Sequence, residues 1–285
     1  MQIGKIETIF VQSLNGMYED NESKALASIA IQEVCHLSYG QLMMNKQTII
    51  SSDYHTEILH ILEELKKGIP LQYILQIADF YGHRFIVKPG VLIPRPETEE
   101  LVDWILKEIQ SSKLSNFNLV DIGTGSGCIP ISIKIKNSHS SIIGIDISDV
   151  ALEIARQNSI ILNTDIQFIK GDILNNDMKF EPKSFDIIVS NPPYITSSEK
   201  SYMHANVIQN EPHIALFVTD EDPLLFYRRI IQFAVQYMKP TGLLFFEINE
   251  HLGDETIQLL KQYNFTAVLR KDISGKDRMI KAQKD

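Results

Sequence analysis

Four consecutive residues, Asn191-Pro192-Pro193-Tyr194, set two hydrogen-bond acceptors beside a flat aromatic ring. The Asn191 side-chain oxygen is one acceptor and the Pro192 carbonyl is the other. Proline has no N–H to give to a ladder, so the two prolines end any strand before them and leave that carbonyl free. Proline also keeps the residue before it extended, which holds Asn191 at the strand's carboxyl end. Two acceptors so placed can take both N–H bonds of a planar amino or amide group. Tyr194 then offers a flat face to such a group, and Pro193 stiffens the turn. A mere strand stop explains the prolines, but not the amide and the aromatic that flank them.

Three other stretches carry chemistry of a different kind. In VDIGTGSGCIPIS, Asp121 is followed by Gly123, Thr124, Gly125 and Gly127. Glycines here let the backbone approach a ligand closely, with N–H groups of a following helix available to polar atoms. The spacing is G-x-G-x-G, with Cys128 where a dinucleotide fingerprint would want its last glycine. In GIDIS, Asp146 precedes Ile147, and a carboxylate there can accept two hydrogen bonds from ribose hydroxyls. In KGDIL, Asp172 precedes Ile173 and can accept from an exocyclic amine of adenine. The plain readings are a turn former for Asp172 and a helix cap for Asp146, although Ser148 is the better cap. Each signal is weak alone, but glycine loop, acid and acid stand at three consecutive strand ends.

The elements that must position these residues fall into two parts. Residues 1–75 carry helical periods and almost no strand signal, and they are expected to form a small helical bundle. In SSDYHTEILHILEELKKGIP, Ser51 or Ser52 can cap a helix whose stripe is Ile58, Leu59, Ile61, Leu62 and Leu65. IGKIETIFVQSL and ESKALASIAIQEVCHLS are similar in kind. Residues 76–93 are expected to be a linker, because LQYILQIADFYGHRFIVKPGVLIP alternates around Tyr81-Gly82 as a β-hairpin would. Residues 94–285 alternate helix and strand. A helix opens at Pro96, and the strands are NLVDI, SIIGID, IQFIK, FDIIVS, GLLFFEI, FTAVLR and RMIKAQ. Such alternation implies an α/β fold with a mostly parallel sheet, whose ligands sit at the strands' carboxyl ends.

Composition narrows the function classes. With 44% apolar and 22% charged residues the chain can bury a sizeable core. A net charge of −9 argues against direct nucleic-acid binding as its main work. Cys35 and Cys128 make no disulfide framework or zinc pair, the eight histidines show no metal-ligand spacing, and no metal is expected. The start lacks signal-peptide character, and no apolar run approaches the ~18 residues of a membrane span. A cytoplasmic monomer is the expectation.

The order DIGTGSG, GIDIS, KGDIL and NPPY resembles the seven-stranded, Rossmann-like S-adenosylmethionine-dependent methyltransferases that act on amino groups. Within them the chain is similar to the bacterial release factor glutamine methyltransferases. IPRPETE (Ile93–Glu99), NEPHIALF (Asn210–Phe217) and DISGKDR (Asp272–Arg278) carry that narrower resemblance, together with the helical front part. It departs at Gln76, where the family usually shows glycine, and at Glu247-Ile248-Asn249-Glu250-His251-Leu252, where E-I-G-x-x-Q is usual.

The resemblance implies S-adenosylmethionine as cofactor, held by Asp121, Gly123, Thr124, Gly125, Gly127, Asp146, Ile147, Asp172, Ile173 and Asn191. It implies class 1 peptide chain release factors as partners, with the glutamine of their Gly-Gly-Gln motif methylated and translation termination modulated. Catalysis would fall to Asn191, Pro192, Pro193 and Tyr194, with Glu211 joining them in substrate binding or standing as a solvated loop acid. Arg95 either faces the cofactor or pairs with Glu97 or Glu99. Phe80 and Tyr81 touch the substrate or fill the hairpin core. NPPY is shared with enzymes that methylate adenine or guanine amines of DNA or RNA, which makes that the alternative. A non-catalytic cofactor binder would have no need of paired amide acceptors, and a nicotinamide oxidoreductase would want other glycine spacing.

Overall fold

The computed structural model describes residues 1–175 and 178–285. The helical periods of the front part become α1 (Ile3–Ser13), α2 (Asp20–Cys35), α3 (Tyr39–Met44), α4 (Ser52–Lys66) and α5 (Leu71–Leu75). Ser51 caps α4 by accepting the Tyr54 N–H at 3.2 Å. The α4 stripe of Ile58, Ile61, Leu62 and Leu65 is buried with Ile3, Ile6 and Phe10 of α1 and Ala27, Ala30 and Ile31 of α2. Two short helices escape the sequence reading. Helix α3 rests on a capping box between Ser38 and Gln41. Helix α5 occupies LQYIL, which looked like the start of the hairpin, and it ends at Gln76 in the left-handed conformation with φ 58°. That backbone favours glycine, which is the residue usual there in the family.

The second unit begins with the hairpin, β1 (Ile77–Phe80) and β2 (His83–Ile86), turned at Tyr81 and Gly82 with φ 51° and 76°. Phe80 and Phe85 are buried in this unit's core, so Phe80 fills the hairpin core and does not face a substrate. There follow α6 (Pro96–Ser111), β3 (Asn118–Ile122), α7 (Cys128–Lys136), β4 (Ser141–Asp146), α8 (Asp149–Ile161), β5 (Gln167–Lys170), β6 (Phe185–Ser190), β7 (Ile195–Thr196) and a 3-10 turn over Ser197–Tyr202. Residues 204–210, with α9 (Ala205–Asn210), group with residues 1–76 as one unit, in which the Asn210 amide donates to the Gly68 carbonyl at 2.9 Å. The chain then resumes the larger unit with α10 (His213–Leu216), β8 (Phe217–Val218), α11 (Leu225–Tyr237), β9 (Met238–Glu247), α12 (Gly253–Gln262), β10 (Phe265–Lys271) and β11 (Asp277–Lys284).

The main sheet has seven strands in the order β10-β11-β9-β6-β3-β4-β5. Its five-strand stretch from β9 to β5 is parallel, and β11 runs antiparallel to both its neighbours. Period-two alternation sends Leu119, Ile187, Val189, Leu243 and Phe245 toward α6, α7 and α8. Val120, Ile122, Ile188, Leu244 and Phe246 face α11 and α12. Burial on both faces explains why the central strands read as continuous apolar runs. Because the parallel strands point one way, their carboxyl ends at Ile122, Asp146, Ser190 and Glu247 gather at one edge. No described helix is long and apolar enough to cross a membrane.

Candidate active site

At the end of β3 the chain turns through a loop in which Gly123, Gly125 and Gly127 all have positive φ. The N–H groups of Gly123 and Thr124 both donate to the Ile145 carbonyl at 2.9 Å, which pins the loop over the end of β4. A Cβ on Gly127 would stand 3.0 Å from Ile131 Cδ1 and 3.2 Å from Ala155 Cβ, so α7 and α8 close on the loop only because glycine is there. Asn158, buried on α8, adds a clasp: its amide donates to the Ser126 carbonyl and exchanges two hydrogen bonds with the Ile86 backbone.

Asp121 sits beneath this loop, fully buried, and neither carboxylate oxygen has a hydrogen-bond partner among the described residues. Burial pushes its carboxyl up to about 7; the Thr124 hydroxyl beside it acts the other way without forming a hydrogen bond, and the Asp146 charge adds to the rise. Asp146 is better supplied. Its Oδ1 accepts the Ser148 N–H at 2.9 Å and its Oδ2 the Gly125 N–H at 2.8 Å, which leaves a lone pair on each oxygen. Burial raises this carboxyl too, and those N–H donors oppose the rise. Ser148, not Asp146, caps α8 through the Ala151 N–H. Asp172 forms an Asx turn with the Leu174 N–H at 2.9 Å and accepts from Asn175, while still lining the same pocket.

That pocket lies at the gathered strand ends. Gly123, Thr124, Gly125, Asp146, Ile147, Asp172, Ile173, Asn191, Pro192 and Pro193 line it. Ile147 is exposed there, an apolar face next to the Asp146 carboxylate. Cys128 also lines it, with its thiol pushed up to about 12 by burial, which removes it as a nucleophile. Asp121, Gly127, Tyr194 and Glu211 stand behind the wall and are not among its lining residues.

The NPPY turn is held from behind by a buried network. Ser190, just before it, donates to the Ile122 carbonyl at 2.6 Å and ties the ends of β6 and β3 together. The Asn191 Nδ2 donates to the Thr98 hydroxyl at 3.3 Å, and that hydroxyl donates to Glu247 Oε2 at 2.6 Å. The Tyr194 hydroxyl donates to Glu247 Oε1 at 3.1 Å. Burial pushes the Glu247 carboxyl up, and it is opposed by these hydroxyls and by the positive field of Arg278. Asn249 donates to the Tyr194 carbonyl at 3.0 Å and to both Glu199 oxygens, so the asparagine that departs from the family's glycine braces the turn. Burial alone would raise the Glu199 carboxyl, but hydrogen bonds from Asn249 and Thr196 outweigh it and hold it below the ordinary range.

Arg95 lines the pocket and pairs with Glu211 at 2.6 Å, not with Glu97 or Glu99. The Glu211 side chain is 1% exposed and also accepts the Ile93 N–H, so it anchors the IPRPETE loop and is not a solvated acid. Thr98, Asn158 and the Arg95–Glu211 pair went unread in the sequence because their partners lie 32 to 149 residues away. Glu247 did carry a signal: an acid closing the apolar run GLLFFE, just as Asp121 and Asp146 close theirs.

Comparison with known proteins agrees with this architecture. Residues 113–266 match a methyltransferase domain family, and residues 11–75 match the PrmC N-terminal domain. The chain is 44% identical over 284 residues to a release factor glutamine methyltransferase of Flavobacterium psychrophilum, covering 99% of both chains. It is 43% identical to the protein of that name from Bacteroides thetaiotaomicron, covering 99% of this chain and 100% of the other. Among solved structures, a methyltransferase from Pyrococcus furiosus shares the fold with a TM-score of 0.51 at 15% identity, covering 82% of this chain and all of that one. Near-complete coverage at such identity to the curated relatives decides the family: the chain belongs to the release factor glutamine methyltransferases.

Proposed function

We propose that the chain transfers a methyl group to the side-chain amide nitrogen of the glutamine in the Gly-Gly-Gln motif of class 1 peptide chain release factors, and so modulates translation termination. S-adenosylmethionine, when bound, supplies the methyl group as an activated sulfonium. The pocket suits it. Asp146 keeps a lone pair on each oxygen for two ribose hydroxyls, Ile147 offers an apolar face, and the Gly123–Gly127 backbone permits close approach. The unpartnered Asp121 carboxylate, buried beneath the glycine loop, contributes a negative field that favours a positively charged ammonium in the pocket.

The observation that carries the reading is the pair of free acceptors at the pocket wall. Among the described residues nothing donates to the Asn191 Oδ1 or the Pro192 carbonyl, while the Asn191 Nδ2, the Tyr194 hydroxyl and the Tyr194 carbonyl are engaged. An amide nitrogen is a poor nucleophile because its lone pair is delocalised into the carbonyl. Two acceptors holding its N–H bonds turn that lone pair toward the methyl group, and both bonds strengthen as positive charge develops on nitrogen. Close, in-line placement supplies much of the remaining rate. No strong base is required, since the methylated nitrogen sheds its proton readily to water.

The partner is a protein, we infer, and the enzyme works as a cytoplasmic monomer whose front unit docks the release factor. Adenine and guanine amines are not favoured by the relatives' names or by a net charge of −9. Incubation with labelled S-adenosylmethionine and, in separate tubes, release factor, tRNA and DNA tests the assignment. Label should enter the release factor alone and vanish when its motif glutamine is replaced by alanine. Asn191→Ala should slow single-turnover methylation by about 100-fold or more while leaving cofactor affinity nearly intact. A near wild-type rate would remove the amide-acceptor mechanism.

A further inference from the structure

The Asn191 side chain can present either its oxygen or its NH2 to the pocket, and only the oxygen can accept an amide N–H. What selects between them is a nearly buried hydroxyl in the wall itself, Thr98, with a carboxylate behind it. Thr98 is the third residue of α6 and is buried, 3% exposed. Its hydroxyl has one proton, which goes to Glu247 Oε2 across 2.6 Å. Glu247 accepts a second hydroxyl, that of Tyr194, on its other oxygen. Having spent its proton, Thr98 can only accept from the direction of Asn191, and Nδ2 stands there at 3.3 Å. With the amide turned over, two oxygens would face each other with no proton between them.

We propose that Thr98, itself oriented by Glu247, is a positioning residue that holds the Asn191 amide with its oxygen toward the reacting nitrogen. The inference rests on the reading of Asn191 as an amide acceptor. It adds that the acceptor's polarity is dictated by the Thr98 hydroxyl, already committed to Glu247 and Asn191, and by the carboxylate behind it. Glu247 thereby couples both ends of NPPY, Asn191 through Thr98 and Tyr194 directly. The T of IPRPETE and the E of GLLFFE, far apart in sequence, become parts of one device.

Thr98→Val keeps the shape and removes the hydroxyl. With both substrates saturating, it should lower kcat by about 10–100-fold, as misaligned catalytic groups do, with little change in the KM for release factor. Thr98→Ser, which keeps donor and acceptor, should stay within about threefold of wild type. The decisive comparison is Asn191→Ala with and without Thr98→Val. If Thr98 acts through Asn191, the double variant should be no slower than Asn191→Ala alone. A Thr98→Val rate equal to wild type, or an effect that multiplies with Asn191→Ala as general loosening of the fold would, overturns the proposal. Should Thr98→Val melt below the assay temperature, Thr98→Ala, with its high helix propensity on α6, takes its place in the same comparison. A near wild-type rate for Asn191→Ala itself would overturn the underlying mechanism instead, so the two failures are distinct.

Discussion

Asp121→Asn isolates the least expected feature of the site, a fully buried carboxylate with no hydrogen-bond partner among the described residues. Its carboxyl lies near 7 in the folded chain against 3.8 as the ordinary value. Between those values the folded state keeps a proton that the unfolded state gives up. The carboxyl therefore costs nothing below about pH 4, and its penalty grows as pH rises until it levels off above about 7. At 1.36 kcal/mol per pKa unit the full penalty is about 4 kcal/mol, of which about 2.5 kcal/mol develops between pH 5 and pH 8. Asparagine at 121 does not titrate. Thermal melts of wild type and Asp121→Asn over that range, without cofactor, should therefore diverge with pH, wild type losing about 5–10 °C relative to the variant. A constant offset would arise from the unpaired asparagine amide, but an offset has no slope. Adding S-adenosylhomocysteine, which carries an ammonium, should flatten the wild-type curve. Parallel melting curves in the absence of cofactor would refute the account of Asp121 as an unpaired buried acid.

Asp146→Ala should weaken S-adenosylhomocysteine binding by about 1–3 kcal/mol in calorimetry, the loss expected for charged acceptors, and unchanged affinity would take it out of the ribose site. Gln76→Gly, which relieves a left-handed residue at the end of α5, should stabilise the chain by about 0.5–1 kcal/mol in denaturant titration. Asn249→Ala should destabilise by about 1–3 kcal/mol, because the Tyr194 carbonyl and Glu199 lose a shared donor; a smaller loss would mean that solvent takes its place. A chain beginning at Ile77 keeps Phe80 and Phe85 in the core of the larger unit, so it should bind cofactor and lose methylation of intact release factor. Equal activity with and without residues 1–76 would remove the docking role of the front unit.

Much of the fold was legible because its elements are written locally. All seven strands of the main sheet fall on short runs rich in apolar residues, most of them set between helical periods, and Pro96 opens α6 at its first residue. What escaped depends on tertiary partners. Helix α5 was hidden in an alternating stretch, where burial of Leu71 and Tyr73 outweighed the local pattern. Residues 204–210 join the front unit although nothing in their composition links them to residues 1–76. The site shows the same division. The glycine loop, Asp146 and NPPY could be found from position alone, since each follows an apolar strand. The Arg95 partner could not, because Glu211 is 116 residues away while Glu97 and Glu99 stand adjacent in sequence.

Asp121, Asp146 and Glu247 illustrate the point at the level of energy. Each is an acid at or near the carboxyl end of an apolar parallel strand, so the sequence signal is the same for all three. Their surroundings are not. Among the described residues Asp121 has no partner, Asp146 has two backbone N–H donors, and Glu247 has two hydroxyls and the field of Arg278. An unpaired buried carboxylate is suited to a cation that arrives with a ligand, and one half-satisfied by N–H groups is suited to neutral hydroxyls. A carboxylate buried away from the pocket, with a protein hydroxyl on each oxygen, is suited to neither; what it can do is orient its donors. Three roles therefore follow from one motif, and the donors assign them: none among the described residues for Asp121, the Gly125 and Ser148 N–H groups for Asp146, and the Thr98 and Tyr194 hydroxyls for Glu247. Only the Glu247 donors are side chains, so only there does a substitution remove a donor while leaving the acid in place, and that carboxyl should rise. Titration of the three carboxyls by carbon NMR in Thr98→Val would read this directly: Glu247 should rise and Asp146 should not move.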